Sequence, residues 1–274
     1  MSTIRMKTTA ARHAIMAAMM LTLAAGVSGC GTDRMTTGSV SRTTGSKPVE
    51  SMSSTELASA ATALGKTYAR NPTEKSIALR YASVLQMNGR SDQALAVMRK
   101  LAIALPKDRE VLAAYGKALA AGGQLEPALD AVRRAQTPEY PDWKLASAEG
   151  AILDQLGQPQ EARQLYRKAL GIKPNEPSVL SNLGMSYVLE GDLKTAETHM
   201  RQAAAAPGAD SRVRQNLALV VGLQGRFDEA EKIARGELSP EQAQANVAYL
   251  RDMLSQQNAW NQLKRQDKKA SATN

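Results

Sequence analysis

Between residues 177 and 207 the apolar positions follow the period of two short helices. Leu180, Leu183 and Tyr187 share one face of the first, with Gly184 between them, and Ala196, Met200 and Ala203 share one face of the second. Gly191-Asp192 breaks the pattern between the two, and Pro207 ends it. Helices this short cannot bury both stripes within one hairpin, so the pattern demands neighbours of the same kind.

The neighbours recur at one fixed step, the distance from Gly150 to Gly184. Steps of that length in either direction from Gly184 reach Ala82, Gly116, Gly150 and Ala218. From Ala196 they reach Ala94, Ala128, Ala162 and Ala230, and from the turn residue Gly191 they reach Gly89, Gly123, Gly157 and Gly225. Small residues at the crossing of two helices let the backbones approach, and glycine supplies the positive φ that a tight helix–helix turn needs. Pro72, Pro106, Pro174 and Pro207 stop the second helices, while Pro159 starts one.

A helical hairpin repeated at a period of about 34 residues resembles the tetratricopeptide repeat family. The resemblance implies an all-α fold: a right-handed α-solenoid of about five repeats with a helical cap at each end. Residues 75–244 hold the five repeats, starting near Lys75, Arg109, Trp143, Pro177 and Ser211. Residues 55–74 keep the register of a second helix without a first, and are expected to cap the stack. Residues 245–260 are expected to form the closing helix, and 261–274 a disordered basic tail.

The first residues have another character. Arg5, Lys7 and Arg12 precede an apolar run over 14–25, as in a secretory signal peptide spanning 1–29. Val27-Ser28-Gly29-Cys30 resembles a bacterial lipobox, which implies that Cys30 becomes a lipidated N-terminus. Cys30 is the one cysteine of the chain, so no internal disulfide is expected. By resemblance to proteobacterial sorting rules, Gly31 after the cysteine implies the outer membrane, with the protein facing the periplasm. Residues 30–54, rich in Ser, Thr and Gly, read as a flexible linker.

Chemistry is sparse. His13 falls within the signal, which leaves His199 alone, and no His/Cys spacing suits a metal. Gly65-Lys66-Thr67 mimics the end of a phosphate-binding loop, but Ala60 stands where its first glycine belongs. Glu56, Asp228 and Glu229 suit first turns of helices, where the dipole favours anions. No enzyme, cofactor, metal or small-molecule substrate is expected. Without Arg5, Lys7 and Arg12 the formal charge falls from +9 to +6, and Lys264, Arg265, Lys268 and Lys269 against Asp267 account for three more. The repeats then show no basic stripe, so no nucleic-acid partner is expected.

A binding surface is what is left. In tetratricopeptide stacks the first helix of each repeat lines the concave face. Carried over by register, that face holds Lys117 and Lys144, then Met185, Val188 and Leu189, then Arg212, Gln215, Leu219 and Leu223. Its second half is apolar enough for an extended or helical peptide with hydrophobic anchors. The closing helix folding over these residues would explain them equally.

The stretch from Val213 to Ala234, followed by Asn246-Val247-Ala248-Tyr249-Leu250-Arg251, resembles the TadD family of lipoproteins from tight-adherence (Flp) type IVb pilus systems. That resemblance implies an assembly role, as a scaffold or pilotin, with the secretin or another pilus-machine subunit as partner. A general outer-membrane scaffold for envelope assembly or cell-wall enzyme complexes is the alternative.

Overall fold

A computed structural model describes residues 48–139 and 141–272, and their side chains apart from Glu50 and 258–272. The signal segment, Cys30 and most of the expected linker lie outside the described residues. Helix α1 (Ser54–Arg70) stands alone, and five hairpins follow. They are α2 (Lys75–Met87) with α3 (Ser91–Ala104), α4 (Arg109–Ala121) with α5 (Leu125–Ala135), and α6 (Trp143–Gln155) with α7 (Pro159–Ile172). Then come α8 (Pro177–Glu190) with α9 (Leu193–Ala205), and α10 (Ser211–Leu223) with α11 (Phe227–Ala234). Helix α12 (Pro240–Ala272) ends the described chain, and the described residues contain no strand. Each helix packs on the next in sequence, which is the topology of a solenoid.

The hairpin turns repeat one geometry. Gly89, Gly123, Gly157, Gly191 and Gly225 all have positive φ, between 72° and 85°. The N–H after each glycine reaches back to a carbonyl in the last turn of the first helix. Examples are Arg90 to Leu85 at 2.8 Å, Gln158 to Leu153 at 2.8 Å and Asp192 to Tyr187 at 3.1 Å. These bonds satisfy carbonyls that a helix end would otherwise orphan.

The start of each first helix repeats as well. Glu74, Asp108, Asp142, Glu176 and Asp210 precede the five first helices, each at the same register position of its repeat. Asp108 accepts from the backbone N–H groups of Glu110 and Val111, Asp142 from Lys144, and Asp210 from Val213. Glu176 makes no side-chain cap; it accepts from the Ser178 hydroxyl and pairs with Lys173 at 2.6 Å. Helix α1 opens with a capping box, in which the Ser53 N–H donates to Glu56 at 2.6 Å.

Close approach within each hairpin depends on the small residues. A Cβ on Gly116 would stand 2.6 Å from Val132 Cγ2, and one on Gly150 would stand 2.8 Å from Tyr166 Cε1. At Gly184 it would meet Met200 Cε at 3.0 Å and the Ala196 carbonyl at 3.1 Å. Ala94, Ala128, Ala162, Ala196 and Ala230 are all buried opposite these seams. The spaces the small residues leave are filled by Met98, Val132, Tyr166 and Met200, so the same mould takes fillings of different shape.

Both ends depart from expectation. The linker expected at 30–54 gives way to ordered chain at its end: a 3₁₀ turn at Val49–Ser51 buries Val49 against Leu57, Ala61 and Val84. The closing helix expected at 245–260 starts at Pro240 and runs to Ala272, through most of the tail expected to be disordered. Polarity is a poor guide there. Lys, Arg, Gln and Ala are strong helix formers, and extending an existing helix avoids the cost of nucleation.

Candidate functional site

The first helices α4, α6, α8 and α10 carry the residues expected on the inner face, and the structure divides them into three groups. Lys117, Lys144, Arg212 and Gln215 are exposed. The Lys144 ammonium stands 5.6 Å from the Trp143 ring centre, Arg212 lies 3.7 Å from Asp210, and Gln215 donates to the Ser211 hydroxyl at 3.0 Å. Met185, Leu189, Leu219 and Leu223 are half-buried, and they form the apolar part of the face. Val188 is different: it is buried, with 9% of its surface exposed.

The reason lies in the register. Val188 shares its repeat position with Asp154 and Gly222. Asp154 accepts from Ser186 of the next first helix at 2.8 Å, and Gly222 faces Leu250 of α12, whose Cδ2 would lie 2.5 Å from an added Cβ. This position therefore packs one repeat on the next, and Val188 is a seam residue instead of a contact surface. The same comparison decides what the closing helix covers. Leu250 caps the seam at Gly222 and leaves Leu219 and Leu223 half-exposed.

Hydrogen bonds run along the seams beside this face. The Asn182 amide donates to the Ser147 hydroxyl at 3.1 Å, and one repeat later the Asn216 amide donates to the Ser181 hydroxyl at 3.1 Å. Asp154 lies at the join of repeats three and four, accepting from Tyr166 at 2.9 Å as well as from Ser186. Burial pushes its carboxyl up to about 6, against the pull of the Ser186 and Tyr166 hydroxyls. Nearby, Arg163 pairs with Glu190 at 3.0 Å and its guanidinium lies 4.8 Å from the Tyr187 ring centre. Apolar periodicity gives no sign of this cluster, because Asp154 occupies the position that Ala120, Val188 and Gly222 hold in repeats two, four and five.

On the outer side, α8 floors a groove between α7 and α9 with a volume of about 460 Å³, lined by Arg167, Leu170, Leu183, Tyr187 and His199 among others. His199 stacks on Tyr187, ring centres 5.5 Å apart, and its Nδ1 is buried without a partner. Burial, then the Arg167 charge, lowers its pKa, so the imidazole is neutral at pH 7. It meets neither a carboxylate nor a hydroxyl, so it makes no nucleophile–base pair. Among the described residues no three His, Cys, Asp or Glu side chains converge on a metal position, and no helix is long and apolar enough to cross a membrane. What the fold offers is surface: rigid stacked helices presenting one row of side chains per repeat, which defines a protein–protein interaction scaffold.

Tetratricopeptide-repeat family models match residues 52–118, 116–177 and 155–219. The chain belongs to the tetratricopeptide repeat family, whose members are typically non-enzymatic scaffolds. No curated protein matches it in sequence. Among solved structures it is similar to a thermophilic repeat protein of Thermus thermophilus, at 23% identity and a TM-score of 0.56, over 63% of this chain and 96% of that one. A repeat protein from Parabacteroides merdae has 16% identity and a TM-score of 0.55, over 75% and 81%. The APC/C hetero-tetramer Cut9–Hcn1 has 15% identity and a TM-score of 0.57, over 73% of this chain and 40% of that one. At these identities the likeness is one of fold.

Proposed function

We propose that this chain is an outer-membrane lipoprotein, anchored through Cys30 and facing the periplasm, that serves as a scaffold or pilotin in assembly of a Flp (Tad) type IVb pilus machine. The observation that carries the binding part is the apolar row of Met185, Leu189, Leu219 and Leu223, half-exposed across the last two repeats and left open by the closing helix. Apolar side chains held open on rigid helices suit a peptide with hydrophobic anchors, and the secretin or another pilus subunit supplies it. The anchor and the pilus assignment are supported by Val27-Ser28-Gly29-Cys30 and by the resemblance of residues 213–234 and 246–251 to the TadD family.

The test is genetic. Deleting the gene should abolish surface Flp pili and leave the secretin monomeric on gels that preserve its multimers. Complementation with the Cys30→Ser chain should restore neither, because the protein then leaves the membrane fraction. Normal pili and secretin multimers in the deletion strain would sink the assignment, and unaltered fractionation of Cys30→Ser would sink the anchor.

A further inference from the structure

The second helices carry a basic row in their own register. Arg99, Arg133, Arg167, Arg201 and Arg235 occupy the same position in all five repeats, near the helix C-terminus, and all are exposed. Lys100, Arg134 and Lys168 follow the first three. The charge repeats once per hairpin, not every few positions, so it forms no continuous run along the sequence.

Two of the repeats stand apart. Arg133 pairs with Glu149 at 2.7 Å, Arg201 with Glu197 and Glu229, and Arg235 with Glu231. Arg99, Lys100, Arg167 and Lys168 have no acidic partner among the described residues. One turn beyond them the chain exposes Ile103, at 76%, and Ile172, at 39%. At the register position of Ile103 the second and fourth repeats hold Thr137 and Ala205. These helix ends lie along one edge of the stack. Arg134 donates to the Pro106 carbonyl at 3.1 Å, just past α3, and Gln202 to Asn175 at 3.1 Å, just past α7. The acids that precede the first helices share that edge: Asp108 and Glu176 are bonded to Lys75 and Lys173, and Glu74, Asp142 and Asp210 accept from the backbone N–H groups of their own helices.

The helix dipole accounts for a cation at the end of each second helix. It does not account for isoleucines left in water beside the cations that lack partners. Unpaired basic pairs flanked by exposed aliphatic side chains suit an anionic bilayer surface, where cations meet headgroup phosphates and the aliphatic groups reach the acyl boundary.

We propose that this edge, built from the C-terminal ends of α3, α5 and α7, rests on an anionic phospholipid bilayer, with Arg99, Lys100, Arg167 and Lys168 on the headgroups and Ile103 and Ile172 at the acyl boundary. It leaves the first-helix face free for a protein. The inference rests on the membrane location proposed above, but not on the pilus assignment.

The test uses the Cys30→Ser chain, so that no lipid contributes, and cosedimentation with vesicles of phosphatidylethanolamine containing phosphatidylglycerol. Binding is expected to these vesicles and not to phosphatidylcholine, and to fall as salt rises. Arg99→Glu with Arg167→Glu should weaken it by about ten-fold or more. Arg90→Glu with Lys194→Glu, at the opposite ends of second helices, should leave it unchanged. Ile103→Ser with Ile172→Ser should weaken it by severalfold. All six positions are exposed, and circular dichroism verifies that every variant stays helical. No vesicle binding, equal binding to neutral vesicles, or an Arg99/Arg167 variant that binds as well as the parent overturns the proposal; the first result leaves an acidic protein as the occupant. None of these readouts depends on pili, so the two readings fail separately.

Discussion

Tyr166→Ala should cost about 3–5 kcal/mol, the largest loss expected from any single side chain in the stack. Tyr166 is the bulkiest of the fully buried residues, at 1% exposure, and its ring fills the space that Gly150 leaves open. Truncation opens a cavity where α6 crosses α7. It also takes one of two hydroxyl donors from the buried Asp154 carboxylate, and leaving such a group short of partners adds to the cost. For a chain of this size the melting temperature should fall by roughly 10 °C. Tyr166→Phe keeps the ring and loses only the donor, so its effect should be no more than about 1–3 kcal/mol. Melts of the two variants followed by circular dichroism check this. Equal losses would mean that the filling of the Gly150 space matters little.

The second large effect concerns pH. Asp154, pushed up to about 6 by burial, is protonated more readily in the fold than in the unfolded chain, where its ordinary value is 3.8. The stabilisation that goes with the proton is complete below about pH 4 and is lost as pH rises through 6. At about 1.4 kcal/mol per pKa unit, it amounts to at most about 3 kcal/mol. Glu197 runs the other way. Burial pushes it up, but bonds from Arg226, Gln224 and Arg201 outweigh burial and hold it at about 2. Its contribution is present above pH 4.5 and is lost as pH falls towards 2, outside the window of Asp154. Between pH 7.5 and pH 5 Asp154 should therefore add stability worth roughly 5 °C in melting temperature, while His199, whose pKa burial lowers, takes some away over the same window. Asp154→Asn should flatten that slope. The difference between the two slopes isolates Asp154, and a variant whose pH dependence matches that of the parent contradicts the assignment.

Both effects fall on repeat three and its join with repeat four, which explains what could be read from the sequence. The fold was legible because its punctuation is rigid: only glycine tolerates the φ of 72° to 85° at the five turns, and only small residues fit where α8 crosses α9. Those constraints recur wherever the backbone recurs, so one fixed step along the chain finds them. The acids that precede the first helices recur too, at Glu74, Asp108, Asp142, Glu176 and Asp210, and so do the arginines from Arg99 to Arg235. They escape a reading based on apolar stripes, in which polar positions count only as solvated.

The inner face was half legible. Register placed Lys117, Met185 and Leu219 on the first helices, where the structure leaves them accessible in part or in full. It could not show that the position of Val188 is a seam, because that role depends on what the next repeat sets against it: Ser186 against Asp154, and Leu250 against Gly222. The long α12 is hidden for the converse reason. Nothing in its last turns is apolar enough to announce a buried face, and local helix preference decides there instead.

The central claim is that the apolar row on the first helices holds a protein partner. The direct measurement is photocrosslinking in living cells, with a photoreactive amino acid placed at Leu189 or Leu219, and at Thr198 on the second helix α9 as control. Crosslinks to the secretin or another pilus-machine subunit from Leu189 and Leu219, and none from Thr198, are the predicted result. Crosslinks to that subunit from Thr198 alone, or none from the inner face in piliated cells, would contradict it.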